Sequence, residues 1–219
     1  MAKVFEVDYR KGSWLERVNR VNPSQQQGSI IKSTAGYGLK CTSTQETRYN
    51  FTQTLYPLIT TTLTINCFFE NKKKSIANNQ GIIGNKGQGS LGFNVYSRCD
   101  NNNIFYSQSY TDGSGANAPT ISNFMKGLHL VTYIIDNVSS TLMFYADGVL
   151  VNTFKGNKTF GIFVANPIGI GSAYGFGAGN QLDTFYYFRM DNVIMTQRNI
   201  QNLYINLLRS RPQQNTITY

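Results

Sequence analysis

The 219-residue chain is predicted to fold as an all-β, two-sheet antiparallel jelly-roll sandwich with one short C-terminal helix. Three observations predict it. Asp147-Gly148 sits between two alternating apolar runs, and Asp-Gly is the strongest short hairpin signal because both turn positions need φ > 0. Tyr, Phe, Thr, Ile and Val are abundant, with 14 Tyr and 14 Phe, and these side chains fit a pleated, half-buried surface. Short alternating runs recur along most of the chain, whereas a helical period is convincing only near the C-terminus.

Taken in order, residues 4–9 alternate with Phe5, Val7 and Tyr9 on one face, and a polar stretch holding Trp14, Pro23 and Gln25-Gln26-Gln27 follows. Residues 38–42 read as a second short strand, before a long middle loop able to wrap a sheet edge. Residues 61–71 place Leu63, Ile65, Cys67 and Phe69 on one face, with threonines, Asn66, Phe68 and Glu70 on the other, the half-buried pattern of an antiparallel sheet. Strands follow at 81–84, 91–98 and 104–109, and Asp112-Gly113-Ser114-Gly115 reads as a loop. Residues 128–136, 141–147 and 149–154 form a three-stranded meander whose first turn is Asn137-Val138-Ser139-Ser140. A short strand at 168–171, a glycine-rich loop at 175–179 and a last strand at 184–195 precede the helix, expected over 197–208. Thr196 can cap it, and Ile200, Leu203, Tyr204 and Leu207 make its apolar stripe.

Composition narrows the class. Apolar residues make up 41% and charged residues 14%, enough for one core, and no linker divides the chain, so residues 1–219 are expected to be a single domain with 209–219 an extended polar tail. The net charge of +9 comes from 20 bases against 11 acids. The bases are scattered and the one run, Lys72-Lys73-Lys74, follows a strand, so specific nucleic-acid binding is not expected and adhesion to an acidic surface explains the charge as well. No run approaches a membrane span and the first residues lack an apolar signal region, so neither membrane insertion nor signal-directed export is expected. Cys41, Cys67 and Cys99 are too few and too scattered for a disulfide framework and read as core thiols. The sequons at Asn50, Asn137 and Asn157 carry no weight in so Asn- and Thr-rich a chain.

Five segments in order resemble one family. Residues 127–136, GLHLVTYIID, look like its "G-x-W-H-x-V-A-x-x-Y-D" strand, with Leu128 in place of Trp. Residues 142–148, LMFYADG, look like "L-Y-V-D-G". Residues 167–172, 190–196 and 200–204 look like "P-L-x-I-G", "I-D-D-V-R-I-Y" and "E-I-x-x-L-Y". Over about residues 4–208 the chain thus resembles laminin G-like domains of the concanavalin A-like lectin/glucanase superfamily. The resemblance implies their sandwich topology; function does not follow from fold.

Glucanases of that superfamily carry Glu-x-Asp-x-Glu on one strand, because period two aims every carboxylate into one cleft. No such set is visible. Asp183 and Asp191 are too far apart in sequence to form it, and each acid reads as a scattered surface carboxylate. His129 reads as a satisfied inter-strand hydrogen-bonding residue, with no nucleophile elbow beside it. One His and three distant Cys offer no zinc site. Gly87-Gln88-Gly89-Ser90-Leu91-Gly92 matches G-x-G-x-x-G, but a strand follows where a nucleotide site needs a helix, so it reads as a hairpin loop. No catalytic residue, cofactor or metal is assigned. The resemblance does bring calcium into view, since laminin G-like domains use loop acids and carbonyls at the sandwich rim; Asp112 and the carbonyls near 113–115 are the residues that would serve, and calcium needs several oxygens. Tyr110, Asp112, Tyr174 and Phe176, aromatics and an acid beside glycines on loops, are the candidate ligand or partner contacts. Their rings can equally fold back over a sheet edge.

The expectation is a non-enzymatic bacteriophage virion protein, capsid-decorating or fibre-associated, presenting an adhesive surface. Adhesive domains act outside cells, and lysis releases assembled virions without secretion. Heavy Asn, Tyr and Ile usage with few acids also matches an AT-rich coding source. The expected partners are capsid or fibre proteins and a host-surface glycan, with the chain multicopy or homo-oligomeric, assembled in the host cytoplasm and docking through an edge or its polar tail. The alternatives are an extracellular, secreted carbohydrate-binding lectin or adhesion module and, disfavoured by the missing acid pair, a glycoside hydrolase.

Overall fold

The alternating runs become two antiparallel sheets. The computed structural model describes residues 3–26, 28–33, 36–40, 47–49, 61–71, 80–85, 92–98, 103–121, 126–162, 167–171 and 184–210. Its strands are β1 (Lys3–Asp8), β2 (Ser29–Ser33), β3 (Gly36–Lys40), β4 (Thr47–Tyr49), β5 (Thr62–Asn71), β6 (Gln80–Gly84) and β7 (Phe93–Arg98). They continue as β8 (Asn103–Ser109), β9 (Gly115–Ile121), β10 (Gly127–Asp136), β11 (Thr141–Ala146), β12 (Val149–Lys155), β13 (Ile168–Ile170) and β14 (Thr184–Asp191). One sheet runs β12-β11-β10-β5-β14-β3-β2, with β1 sharing the second edge of β14, and the other runs β4-β13-β6-β7-β8-β9. The helix α1 spans Gln197–Arg209.

Period two explains the core. Leu63, Ile65, Cys67 and Phe69 of β5 face inward as expected, joined by Val131, Tyr133 and Ile135 of β10 and by Phe93, Val95, Ile104 and Tyr106 of the second sheet, all buried in one cluster. Burying each large side chain contributes roughly 1.5–3 kcal/mol. Burial also pushes the Cys67 thiol well up, which keeps it protonated and inert. Cys41 and Cys99 lie outside the described residues.

The other face of the larger sheet departs from expectation. The half-buried pattern of β5 predicted solvent there, yet Thr64 and Asn66 are fully buried. Residues 192–196 leave the sheet at Asp191, ending β14 four residues earlier than predicted, and cross this face. Thr62 Oγ1 donates to the Asn192 carbonyl (2.8 Å), Thr64 Oγ1 to the Val193 carbonyl (2.6 Å), and Met195 N donates back to Thr64 Oγ1 (3.2 Å). The polar side chains thus dock the chain that carries α1. Thr196 caps the helix, its Oγ1 accepting from Asn199 N at 3.3 Å, and Ile200 and Leu207 pack with Phe68, Leu130, Ile134 and Tyr186 in a second buried cluster.

The Asp147-Gly148 hairpin forms, with φ of 52° and 83°. A Cβ on Gly148 would stand 2.9 Å from the Gln201 backbone, so the turn is also where the meander meets α1. Three strands were missed in the sequence. β2 lies inside the polar stretch; β4 is three residues long and exists through its pairing with β13. β9 carries Pro119 and, as the edge of its sheet, tolerates it. β3 begins two residues earlier than expected, at Gly36. β6 pairs antiparallel with β7, and residues 87–91 of the glycine motif lie outside the described residues, as do Lys72-Lys73-Lys74, the loop at 175–179 and the tail from 211.

Candidate functional site

At one end of the sandwich the β8–β9 turn, the β10–β11 turn and the chain after β12 meet, and this rim holds two of the predicted contact residues. The turn after β8 closes through Gly113, with φ 82°, as Gly113 N donates to the Tyr110 carbonyl (3.0 Å) and Tyr110 N to the Ser114 carbonyl (2.8 Å). Asn137 clamps residue 160 across the rim: its Nδ2 donates to the Phe160 carbonyl (2.9 Å), and Phe160 N donates to its Oδ1 (2.8 Å).

Of the two readings open for a loop aromatic, Tyr110 takes the packed one. It is 7% exposed and stacks on Phe160 with centroids 5.3 Å apart and planes at 12°. Asp112 is exposed, but both of its oxygens are occupied: Oδ1 accepts from Ser114 N (2.9 Å) and Ser114 Oγ (2.6 Å), and Oδ2 accepts from Lys158 Nζ (2.6 Å). The Lys158 ammonium and the Ser114 donors hold the Asp112 carboxyl well below the usual carboxylate range. A lysine ammonium therefore stands where calcium would sit, and the described residues contain no cluster of three His, Cys, Asp or Glu. These residues do not fit a calcium ion. Tyr174 and Phe176 lie outside the described residues.

Five of the eight described acids are not on the surface, contrary to expectation. Glu6, Asp8, Glu16, Asp136 and Asp191 are buried. Glu16 accepts from Glu6 N (2.8 Å), Val18 N (3.0 Å) and Asn19 N (2.6 Å), shaping the turn behind it. Asp8 receives both arms of Arg10 (2.8 and 2.9 Å), and Asp191 both arms of Arg189 (2.8 and 2.6 Å). Glu6 accepts from the Tyr187 hydroxyl (2.7 Å) and pairs with Lys3 (3.0 Å). Burial pushes the Glu6 carboxyl up, but Tyr187, Lys3 and Arg17 outweigh it and leave it below its ordinary value. Glu6 and Asp8 alternate on one strand, a Glu-x-Asp pair visible in the sequence, and both are spent on scaffold contacts.

His129 behaves as expected. Its Nδ1 donates to Asp147 Oδ2 (2.8 Å), while Asp147 Oδ1 accepts from Leu130 N (2.8 Å), tying the hairpin turn to β10. The remaining described acids are also engaged, Asp136 by Val138 N (2.9 Å) and Ser139 Oγ (2.6 Å), and Glu70 by the Tyr186 hydroxyl (3.4 Å). Asp183 lies outside the described residues.

No protein-family model and no curated protein matches the sequence. Solved structures do match in fold. The binding domain of botulinum neurotoxin DC in complex with rat synaptotagmin II superposes with a TM-score of 0.72 at 15% identity, over 94% of this chain and 52% of that one. A botulinum neurotoxin type C structure, from work describing cell entry as dependent on interaction with two ganglioside molecules, gives 0.72 at 15%, over 94% and 51%. The receptor-binding domain of a mosaic C/D serotype gives 0.74 at 13%, over 94% and 51%. This chain spans about half the length of these structures, and at such identities the likeness is one of fold, an all-β sandwich.

Proposed function

We propose that the chain is a non-catalytic adhesive module of the laminin G-like kind that attaches to an anionic, glycan-bearing surface. The observation that carries this reading is the sorting of charge. All eight described carboxylates are committed to backbone, hydroxyl or cationic partners inside the scaffold or at its rim, five of them buried. Bases such as Lys11, Arg20, Lys32 and Lys126 stay exposed. A chain of net charge +9 arranged in this way presents cations outward, which draws it to acidic surfaces with a strong dependence on salt. The same sorting leaves no carboxylate pair among the described residues for glycoside hydrolysis. The fold shared with receptor-binding domains adds support.

Its proposed setting is a bacteriophage particle, where many copies multiply weak contacts into firm attachment. The edge strand β12 exposes Val149, Leu150 and Val151, a strand that a second copy can extend. Binding to acidic and neutral glycan surfaces at low and high salt, with reducing-sugar release followed in parallel, tests the adhesive reading. Salt-sensitive binding without sugar release is expected; turnover, or no binding to any acidic surface, overturns it. Mass spectrometry of purified particles and sedimentation of the free chain test the setting.

A further inference from the structure

Tyr37 of β3 is 45% exposed and is the one exposed aromatic ring among the described residues. Neither the hydroxyl nor the ring has a partner among them. The ring shares the parity of Leu39, whose side chain is in the core, so it projects from the core-facing side of the larger sheet where the core has ended. It is nevertheless held from behind. Gly12, at φ 69°, closes a 3-10 turn through Gly12 N to the Tyr9 carbonyl (2.8 Å), and a Cβ built on it would lie 3.7 Å from Tyr37 Cδ2. One edge of the ring rests on a position without a side chain.

Among the described residues of the first 40, the charge left unpaired beside this ring is positive. Lys32 is the direct cross-strand partner of Tyr37, and Lys11 precedes Gly12. Both lysines are exposed, and neither has an ion pair or hydrogen bond among the described residues. The first 40 residues hold seven bases and three acids, and those acids, Glu6, Asp8 and Glu16, are buried and engaged. Nothing acidic among the described residues of this segment is left to neutralise Lys32 and Lys11.

We propose that Tyr37, Lys32 and Lys11 form a recognition subsite for one acidic sugar residue, a pyranose carrying a carboxylate or sulfate. The apolar C–H face of the sugar stacks on the ring, the phenol hydroxyl exchanges hydrogen bonds with sugar hydroxyls, and the ammonium groups hold the anion. One ring with a lysine directly across the strand pair and a second next to the glycine beneath it matches a footprint of one sugar. Single-stranded nucleic acid wants a basic groove with successive rings. The proposal rests on the adhesive reading and gives it a place and a ligand class.

The test uses the full chain against an immobilised sialylated oligosaccharide, its desialylated counterpart, heparin, phosphatidylserine vesicles and oligo-dT. An acidic glycan should bind, and the neutral counterpart should bind at least about tenfold more weakly, as should Tyr37→Ala and the Lys11→Ala/Lys32→Ala double variant toward the acidic glycan, all with unchanged thermal unfolding. Tyr37→Phe should keep most of the affinity, since stacking survives. If the chain binds acidic glycans and Tyr37→Ala binds as well as the parent, the subsite is wrong while the adhesive reading stands. Absence of binding to every acidic surface removes both. Preference for the vesicles or oligo-dT over the acidic glycans overturns the subsite in favour of a lipid or nucleic-acid face.

Discussion

Tyr110 and Tyr37 each have a glycine and a lysine for company, yet one is structural and the other is open. At the rim, Tyr110 stacks on Phe160, and the neighbouring Lys158 is neutralised by Asp112 while lying 5.8 Å from the Tyr110 ring centroid. At the β2–β3 edge, Tyr37 leans on Gly12, and Lys32 has no acidic partner among the described residues. The difference lies in what the fold brings opposite each ring. Residues 156–160 return over Tyr110 and supply both a second ring and the means to satisfy the backbone, whereas no second ring stacks on Tyr37 among the described residues.

The largest effect that can break this contrast is on stability. Phe160→Ala removes a buried ring that stacks on Tyr110 and should cost about 3–5 kcal/mol in urea unfolding, whereas Tyr37→Ala should stay within about 0.5 kcal/mol of the parent. Equal losses would mean that Tyr37 is part of the scaffold and not a free surface.

The two glycines sharpen the same point. An alanine at Gly156 would put its Cβ 2.6 Å from Phe160 Cζ and 3.3 Å from Tyr110 Cε1, and such overpacking should cost roughly 1–3 kcal/mol. Gly12→Ala meets only ordinary contact at 3.7 Å and suffers from its φ of 69°, a cost of roughly 1–2 kcal/mol. A loss at Gly12 well beyond the roughly 1–2 kcal/mol that its φ costs, or no loss at Gly156, would reverse the assignment of packed and open sides.

A smaller effect is expected with pH. Glu6 and Asp112 have folded pKa values below their ordinary values, so their stabilisation is complete above the unfolded carboxylate range and is lost as pH falls through the folded values. Melting temperature should therefore hold down to about pH 4.5 and decline below it. Glu6→Gln should flatten that acid limb. Asp112→Asn should flatten it less, because that pair is solvent-exposed and screened; the opposite ranking would place the stabilising charge at the rim.

Local pattern made much of this legible. The inward set Leu63, Ile65, Cys67 and Phe69, the Asp147-Gly148 turn, the role of His129 and the Thr196-capped helix were readable, because each depends on a short-range period or a turn conformation. The missed strands have no such signal. Pro119 disguised β9, and β4 depends on its pairing with β13. Glu6 misled for a related reason: it looks solvated in sequence, and its hydroxyl partner Tyr187 lies 181 residues away, whereas the Asp8–Arg10 pair is local, two residues apart.

What the sequence determined by itself was the sandwich, its inner face and its terminal helix, since apolar periodicity commits a segment to one element and one buried side. Tertiary structure alone decided which polar residues that fold would enclose. Thr64 became a dock for residues 192–196, Glu6 took the Tyr187 hydroxyl of β14, and Tyr110 was covered while Tyr37 was not. Each outcome turns on an encounter between segments far apart in the chain or on the lack of one, and burial is set by what arrives from elsewhere.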